Sequence, residues 1–380
     1  MLQFENYVPV RIVFGAKKLE SVGEHAKALG SKALIVTTGP FFKESGLIDR
    51  VAGYLKEAGV QSEVFMDASP NPHSDEADAG AAFAKETGCD VVIGLGGGSA
   101  IDAAKCIAVG AAQGEPTWPY WIGEKDIFAA LPIIAVTTTS GTGSHITPYS
   151  VITNTETNEK PGAGADVMYP KVAIVDSELM ATLPAKMTAA TGFDVLAHAI
   201  EAYTSNDANP FSDQYAEEAI KLVGKYLKRA IDDGSDAEAR DGMAMADTYS
   251  GCAISIAVIT MCHAMAHAVG GVCNTVHGES LAAMTPSTMR HSISGRPEKY
   301  KKIGELLSSK DVASAEASVD VVAAFIKDIG MAIPLNEQGV KESDFDEIIA
   351  GATGYMAGGM ELDPVLVTPE DVRKVLEDSL

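Results

Sequence analysis

The stretch at residues 89–110 reads CDVVIGLGGGSAIDAAKCIAVG, and it decides the fold class. Its first eight residues have the β-branched, apolar content of a buried strand. A cluster of glycines follows, and the apolar run at 101–112 predicts a helix. Strand, glycine turn and helix in this order are typical of a parallel α/β sheet in which backbone N–H groups approach an anion. A tight turn needed only for close packing is the alternative.

Similar strand patterns recur on both sides of this unit. They predict strands at 11–15, 32–38, 62–67, 131–137 and 172–176. Apolar residues at helical spacing over 43–59 and 75–88 supply connections long enough for parallel strands. We therefore expect an α/β domain with a parallel sheet over residues 1–183.

The sequence pattern changes after Leu183–Pro184, where the chain becomes rich in Ala and Met and its apolar residues recur at helical spacing. Near the end, Thr368 is a candidate N-cap, Pro369 suits the first helical position, and Glu370 and Asp371 complement the helix dipole. A terminal helix is predicted there. We expect an all-α domain over residues 184–380.

Charge and composition exclude several classes of protein. The chain has 29 Lys and Arg against 52 Asp and Glu, a formal net charge of −23. Such a chain repels phosphate backbones and anionic lipids, so neither nucleic acid nor a membrane is expected as a partner. The start, MLQFENYVPVRIVFG, lacks the order of a secretory signal, and the five cysteines form no CxxC. A cytoplasmic protein with reduced thiols is expected.

A second polar loop, TTSGTGS at residues 138–144, follows a predicted strand. Its hydroxyls and backbone amides suit a pyrophosphate or a ribose. By itself it could be an ordinary polar loop, but two such loops after strands of one sheet support each other, because ligands of open α/β sheets bind beyond the strands' carboxyl ends.

Candidate metal ligands lie in the helical half. Asp194 and His198 are four residues apart, and so are His263 and His267, while His277 follows in otherwise apolar sequence. Side chains four apart share one helix face. A carboxylate with imidazoles fits a catalytic site for Fe²⁺ or Zn²⁺. For any single histidine, a hydrogen-bonded core residue is the alternative.

These segments together resemble the iron-containing (group III) alcohol dehydrogenases over nearly the full length. The resemblance rests on Pro70-Asn71-Pro72, GGGSAID at 96–102, TTSGTGS at 138–144, GFDVLAHAIEAY at 192–203 and HAMAHAVGGVCNTVHG at 263–278. The last two segments are the specific ones. The resemblance implies a Rossmann-like α/β dinucleotide-binding domain over residues 1–183 and an all-α metal-binding domain over residues 184–380, in agreement with the division above.

The resemblance also assigns residues. It implies that Asp194, His198, His263 and His277 bind the metal, Fe²⁺ or alternatively Zn²⁺, and that His267 lies beside the nicotinamide as a catalytic candidate. The positions aligned with cofactor contacts are Thr38, Gly39, Asn71, Gly97, Gly98, Ser99, Asp102, Thr138, Thr139, Thr142, Lys160 and Leu179. Many members that use NAD carry an aspartate where this chain has Thr38, and without its repulsion of a 2′-phosphate we expect measurable use of NADP. Residues 37–40 supply no Arg or Lys to bind that phosphate, so NAD is expected to be the preferred cofactor.

The implied function is reversible hydride transfer between a nicotinamide cofactor and a small primary alcohol or aldehyde, in an enzyme that assembles as a homo-oligomer. Alternatives are a zinc-dependent polyol dehydrogenase of the glycerol type, a metal-dependent phosphohydrolase and a non-catalytic nucleotide-binding protein. Two departures from the family pattern, His145 in place of a glutamate and Ala268-Val269 in place of Pro-Leu, are expected to reshape the cleft wall.

Overall fold

The computed structural model describes residues 3–380 and divides them into two compact units. The α/β unit comprises residues 8–139 and 144–180. Its strands are β1 (Arg11–Phe14), β2 (Lys32–Thr38), β3 (Gln61–Ala68), β4 (Val91–Gly96), β5 (Ile133–Thr137), β6 (Tyr149–Val151), β7 (Gly162–Gly164) and β8 (Val172–Val175). Its helices are α1 (Val22–Leu29), α2 (Phe41–Glu44), α3 (Leu47–Glu57), α4 (Ser74–Thr87), α5 (Gly98–Gln113) and α6 (Trp118–Trp121).

The main sheet of this unit is parallel, with the strand order β1-β8-β5-β4-β2-β3 among the described residues. The chain passes from β2 outward to β3 and then returns across β2 to β4, so the direction of winding reverses between β2 and β4. A doubly wound sheet binds its ligands at such a switch point. The short strands β6 and β7 form a separate antiparallel pair.

Apolar side chains cover both faces of the sheet. Leu34 and Val36 of β2 belong to one hydrophobic cluster, while Ala33 and Ile35 belong to the other. Successive residues of a strand point to opposite faces, so the continuous apolar run of β2 is what a strand buried on both faces requires. The fold class predicted for the first half is confirmed.

The helical unit comprises residues 181–380 together with residues 3–7 and the loop 140–143. Its helices are α7 (Ala185–Thr204), α8 (Pro210–Asp232), α9 (Ala237–Ala257), α10 (Met261–Cys273), α11 (His277–Ser292), α12 (Pro297–Ser308), α13 (Ala315–Asp328), α14 (Phe345–Thr353), α15 (Ala357–Glu361) and α16 (Pro369–Ser379). Each domain predicted from the sequence, 1–183 and 184–380, is one continuous segment, whereas each observed unit combines separate segments of the chain. The difference arises because the loop 140–143 is bonded to helices of this unit.

The predicted terminal helix is α16, and its cap is the expected one. Thr368 Oγ1 accepts a hydrogen bond from the Asp371 amide, and Asp371 Oδ2 accepts one from the Thr368 amide.

In the described residues no single helix has the length and apolarity needed to cross a membrane, although α9 and α10, bent by 102° at their junction, pass that test together on length and composition.

Candidate functional site

Helix α7 presents three ionisable side chains along one face. Asp194, His198 and Glu201 are separated by four and three residues, so they stand one above the other on the helix. All three are buried, as is nearly every residue from Thr188 to the end of α7. Buried ionisable groups need partners inside the protein.

Two further helices bring histidines to this face. His263 is the third residue of α10, and His267 follows one turn later. Asn274 ends α10 with φ 49°, a left-handed conformation that asparagine tolerates better than most residues. His277 is then the first residue of α11.

The side chains of Asp194, His263 and His277 converge. Their donor atoms all lie within 4.8 Å of one another. Asp194 Oδ1 is 3.1 Å from His263 Nε2 and 3.8 Å from His277 Nε2. Carboxylate oxygen and imidazole nitrogen are donors that suit Fe²⁺ and Zn²⁺. The chemistry and the convergence of this set therefore fit a divalent metal ion.

His198 and His267 lie beside this cluster. His198 Nδ1 is 3.5 Å from Asp194 Oδ1, and its ring stacks on that of His263 with the centroids 4.1 Å apart. The ring centroid of His267 is 5.4 Å from that of His277. The five residues singled out from the sequence are thus neighbours, but the compact donor set contains neither His198 nor His267. Their roles as ligand and catalytic residue stay predictions.

The charges in the cluster shift its pKa values. Burial favours a raised pKa for Asp194, but the adjacent His198, His263 and His277 hold it below its usual range. Burial lowers the pKa of His198 to about 4 against the attraction of Asp194. Burial also opposes protonation of His263, yet Glu201 and Asp194 flank the ring and raise its pKa to about 10. The buried carboxylates thus keep their negative charge, which a cation would match.

Glu201 is a member of this cluster that the sequence analysis missed. Its Oε1 lies 2.6 Å from His263 Nδ1, on the opposite side of the ring from Asp194. The available signal was the spacing in GFDVLAHAIEAY, which puts Glu201 on the same face of α7 as Asp194 and His198. Spacing alone did not reveal which residue the carboxylate contacts.

The sequence pattern predicts that the loop 140–143 offers free backbone amides to a pyrophosphate, but in the structure two of these amides have a protein partner. The amides of Gly141 and Gly143 both donate hydrogen bonds to Asp247 of α9, the second at 2.8 Å. Burial raises the pKa of Asp247 to about 7, although these amides oppose the shift. The Gly141 carbonyl oxygen lies 3.3 Å from His198 Nδ1. Two amides expected to face a cofactor thus hold the loop, which carries Thr142, onto the helical unit.

The predicted cofactor residues of the α/β unit lie where adjacent strands end. Thr38 and Gly39 are at the end of β2, Gly97, Gly98 and Ser99 follow β4, and Thr138 and Thr139 follow β5. These strands are neighbours, so the positions share one sheet edge. A Cβ added to Gly97 would lie 3.1 Å from Thr139 Oγ1, which shows how closely the two loops approach.

Three of the other predicted cofactor residues occupy the same unit. Ser99 Oγ accepts a hydrogen bond from the Asn71 amide at 3.3 Å, and Lys160 Nζ donates one to Asn71 Oδ1 at 2.7 Å. Leu179, in the turn after β8, packs against the hydrophobic cluster on one face of the sheet. These contacts bring Asn71, Ser99 and Lys160 together at the start of α5.

Asp102 serves an internal network. One carboxylate oxygen accepts from Ser144 Oγ at 2.5 Å and the other from the Val151 amide at 3.0 Å. The fully buried Lys105 donates to the same Ser144 Oγ at 2.8 Å. Burial lowers the pKa of Lys105 to about 8, against the attraction of Asp102. Both oxygens of Asp102 therefore have protein partners, and a direct cofactor contact stays a prediction.

The two departures from the family pattern are absorbed inside the units. His145 is buried, and burial together with Lys105 lowers its pKa to about 3, so the ring is neutral at ordinary pH. Ala268 and Val269 are fully buried in the hydrophobic core of the helical unit. Their side chains pack in the interior of each unit, and the reshaping of a cleft wall stays a prediction.

Known families match both halves of the chain. Residues 9–177 match the family model of iron-containing alcohol dehydrogenases, and residues 188–380 match the model of the C-terminal part of the Fe-containing alcohol dehydrogenase family. A doubly wound sheet followed by a helical unit with an Asp–His cluster is therefore the architecture of a known class of oxidoreductases. The chain belongs to the iron-containing alcohol dehydrogenase family.

Individual relatives extend over the whole chain. An NAD-dependent methanol dehydrogenase of Bacillus methanolicus is 33% identical, with 98% of this chain and 99% of the relative covered. An NADPH-dependent butanol dehydrogenase of Clostridium saccharobutylicum is 34% identical, with 97% and 96% covered. The crystal structure of an archaeal halo-thermophilic alcohol dehydrogenase from a Red Sea brine pool is 39% identical, covers both chains fully and has a TM-score of 0.96.

Proposed function

We propose that this protein is a metal-dependent alcohol dehydrogenase and aldehyde reductase that transfers a hydride between a nicotinamide cofactor and a small primary alcohol or its aldehyde. The observation that carries the proposal is the convergence of Asp194, His263 and His277 within 4.8 Å in a chain of this family. His198, which stacks on His263, completes the proposed ligand set.

The chain's own residues would prepare the metal for its task. Asp194 supplies the negative charge, and the histidines supply nitrogen donors in a buried environment that keeps the attraction strong. A bound divalent ion, Fe²⁺ or alternatively Zn²⁺, supplies Lewis acidity at the substrate oxygen. His267, buried beside His277, is the proposed residue for holding or relaying the hydroxyl proton. A role limited to orienting the neighbouring imidazole is its alternative.

The edge of the sheet at β2, β4 and β5 is the proposed nucleotide site. Helix α5 begins at this edge behind a glycine turn and, within residues 3–380, without a side-chain N-cap. The positive end of a 16-residue helix suits a pyrophosphate. The nicotinamide cofactor supplies the hydride acceptor or donor, and the residues at this edge fix its position.

NAD is the proposed cofactor, with measurable use of NADP. Residues 37–40, TTGP, contain no cation for a 2′-phosphate, and Thr38 is paired in register with Asp67 of β3. The exposed carboxylate of Asp67 would repel the 2′-phosphate of NADP. The relatives named above include one NAD-dependent and one NADPH-dependent enzyme.

A small primary alcohol is the proposed substrate, because methanol and butanol, named for two relatives, are both of this class. A polyol dehydrogenase of the glycerol type is the alternative, and activity on glycerol with zinc would favour it. The expected homo-oligomer and cytoplasmic location stay predictions.

The test uses protein reconstituted with Fe²⁺ or Zn²⁺ and a panel of alcohols and aldehydes, followed by nicotinamide absorbance. Replacing His263 or His277 with alanine should abolish turnover and lower the metal content, because each variant removes one donor of the cluster. His291→Ala is the matched control, since His291 lies on α11 like His277 but pairs with Asp371. Full activity and full metal content in both cluster variants would refute the proposal.

A further inference from the structure

Glu201 makes several contacts with the start of helix α10. Its Oε1 lies 2.6 Å from His263 Nδ1. Its Oε2 accepts hydrogen bonds from the Thr260 amide at 2.6 Å, from Thr260 Oγ1 at 3.2 Å and from the His263 amide at 3.3 Å. Glu201, Thr260 and His263 are all buried, so these bonds are shielded from bulk solvent. One carboxylate thus holds both the backbone and the ring of the His263 segment.

The contact with the ring determines which nitrogen can serve as a ligand. An ionised carboxylate only accepts hydrogen bonds, so Nδ1 must carry the proton that it shares with Glu201. The other nitrogen, Nε2, faces Asp194 Oδ1 at 3.1 Å, inside the donor cluster. Glu201 therefore directs His263 toward a form in which Nε2 is the ligand atom.

The backbone at the α9–α10 junction explains why this support is needed. Val258, between the two helices, has φ 60° and ψ −172°, a conformation that is almost restricted to glycine. The two helices meet there at 102°. The Thr260 side chain forms no cap for α10, and the Glu201 carboxylate receives the amides of its first turn instead. Glu201 therefore binds both the segment that follows the strained residue Val258 and the ring of His263.

We propose that Glu201 is a positioning residue of the metal centre, which fixes the tautomer and the orientation of His263 by binding its Nδ1–H and the first amides of α10 together. The inference rests on the proposed metal site and deepens it. Substitution of a carboxylate that binds a metal-ligating histidine in this way typically weakens metal affinity by about 10–100-fold.

The first measurement is metal affinity. Glu201→Gln keeps the shape of the side chain but replaces one acceptor oxygen with an NH₂ donor, which must oppose either the ring N–H or the Thr260 amide. We expect the dissociation constants for Zn²⁺ and Co²⁺, measured by competition with a chelator, to rise about 10–100-fold. The visible absorption of the Co²⁺ protein should change as well, because the histidine ligand is misoriented.

The second measurement reports on the ring itself. In protein labelled with ¹⁵N-histidine, the His263 Nδ1–H should give a low-field proton resonance in the wild type, with or without Zn²⁺, and the resonance should be lost or displaced in Glu201→Gln. A merely structural role would lower stability but would leave this resonance and the Co²⁺ spectrum of the folded protein unchanged.

The matched control is Asp363→Asn, which also converts a buried carboxylate to an amide. Asp363 accepts from Ser292 Oγ and the Val365 amide, and no hydrogen bond described for it reaches a histidine of the cluster. It should keep the wild-type affinity and the His263 resonance. If Glu201→Gln does not fold, Glu201→Asp is the second variant. It keeps the charge, but its side chain is one methylene shorter, so the carboxylate lies further from His263. Metal affinity should then fall at least about threefold, and the His263 Nδ1–H resonance should be displaced.

Wild-type metal affinity and an unchanged His263 resonance in the folded Glu201 variant would overturn the inference. A wild-type protein that binds no metal would instead overturn the proposed function. The Nδ1–H resonance of the metal-free protein separates the two failures, because it reports the contact with Glu201 and requires no metal.

Discussion

Thr38 ends strand β2, where its side chain is half-buried and its backbone pairs with Asp67 and Ala68 of β3. An aspartate at this point of a dinucleotide-binding sheet would accept hydrogen bonds from the adenosine ribose and repel a 2′-phosphate. Threonine removes the charge from β2, but Asp67 keeps one carboxylate at the adjacent strand end. The balance of these two positions gives the predicted cofactor preference, NAD with some use of NADP.

We expect Thr38→Asp to sharpen that preference, because a second carboxylate near Asp67 adds repulsion against the 2′-phosphate. The measurement compares kcat/KM for NADH and NADPH at a fixed aldehyde concentration, and the ratio should rise about tenfold, or about 1.4 kcal/mol in transition-state free energy. Thr38→Ser is the control and should keep the wild-type ratio. A wild-type enzyme that prefers NADPH tenfold would show that another group recognises the phosphate.

At the scale of elements, the junction of α9 and α10 stands out. Val258 occupies a backbone region in which a Cβ is unfavourable, and such strain costs about 1–3 kcal/mol when the surroundings enforce it. The junction lies five residues before His263 and next to the segment bound by Glu201. The packing of α9 and α10 and the contacts of Glu201 thus hold the chain in a conformation that the residue itself disfavours.

A pair of substitutions tests this strain. We expect Val258→Gly to be more stable than Val258→Ala by about 1 kcal/mol, because both lose the valine methyl groups and only alanine keeps the strained Cβ. Chemical unfolding of the metal-free variants measures the difference. At Ala257, the last residue of helix α9, the order should be the ordinary one, with glycine less stable than alanine by about 1 kcal/mol. Greater stability of alanine at both positions would show that Val258 is unstrained.

For the whole molecule, the dominant long-range property is charge. The net charge of −23 is spread over 380 residues, and at neutral pH the folded chain repels itself. Salt shortens the reach of this repulsion, since the Debye length falls from ~30 Å at ~0.01 M to ~10 Å at ~0.1 M.

We therefore expect the thermal midpoint at pH 7.5 to rise by a few degrees as NaCl increases over this range. The same series near pH 5, close to the sequence pI of about 4.7, is the control, because little net charge remains there to be screened. A midpoint that falls with salt at pH 7.5 would mean that attractive ion pairs outweigh the net repulsion.

Local patterns in the sequence predicted a large part of this structure. The apolar run at 32–38 becomes β2, the glycine turn after residue 96 separates β4 from α5, and Thr368 caps α16. Such features depend on backbone hydrogen bonds and side-chain spacing within a few residues, so the sequence alone contains them. The spacing of Asp194 and His198 on one helix face is of the same kind.

Contacts between distant residues were decided only by tertiary structure. Glu201 meets His263 across 62 positions, and Asp247 binds the Gly143 amide across 104. No local pattern specifies such partners, because they depend on which helices pack together and on the requirement that every buried carboxylate find donors. For this reason the sequence by itself identified candidate metal ligands, whereas the contact of Glu201 with His263 and the loop held by Asp247 emerged only from the packed helices.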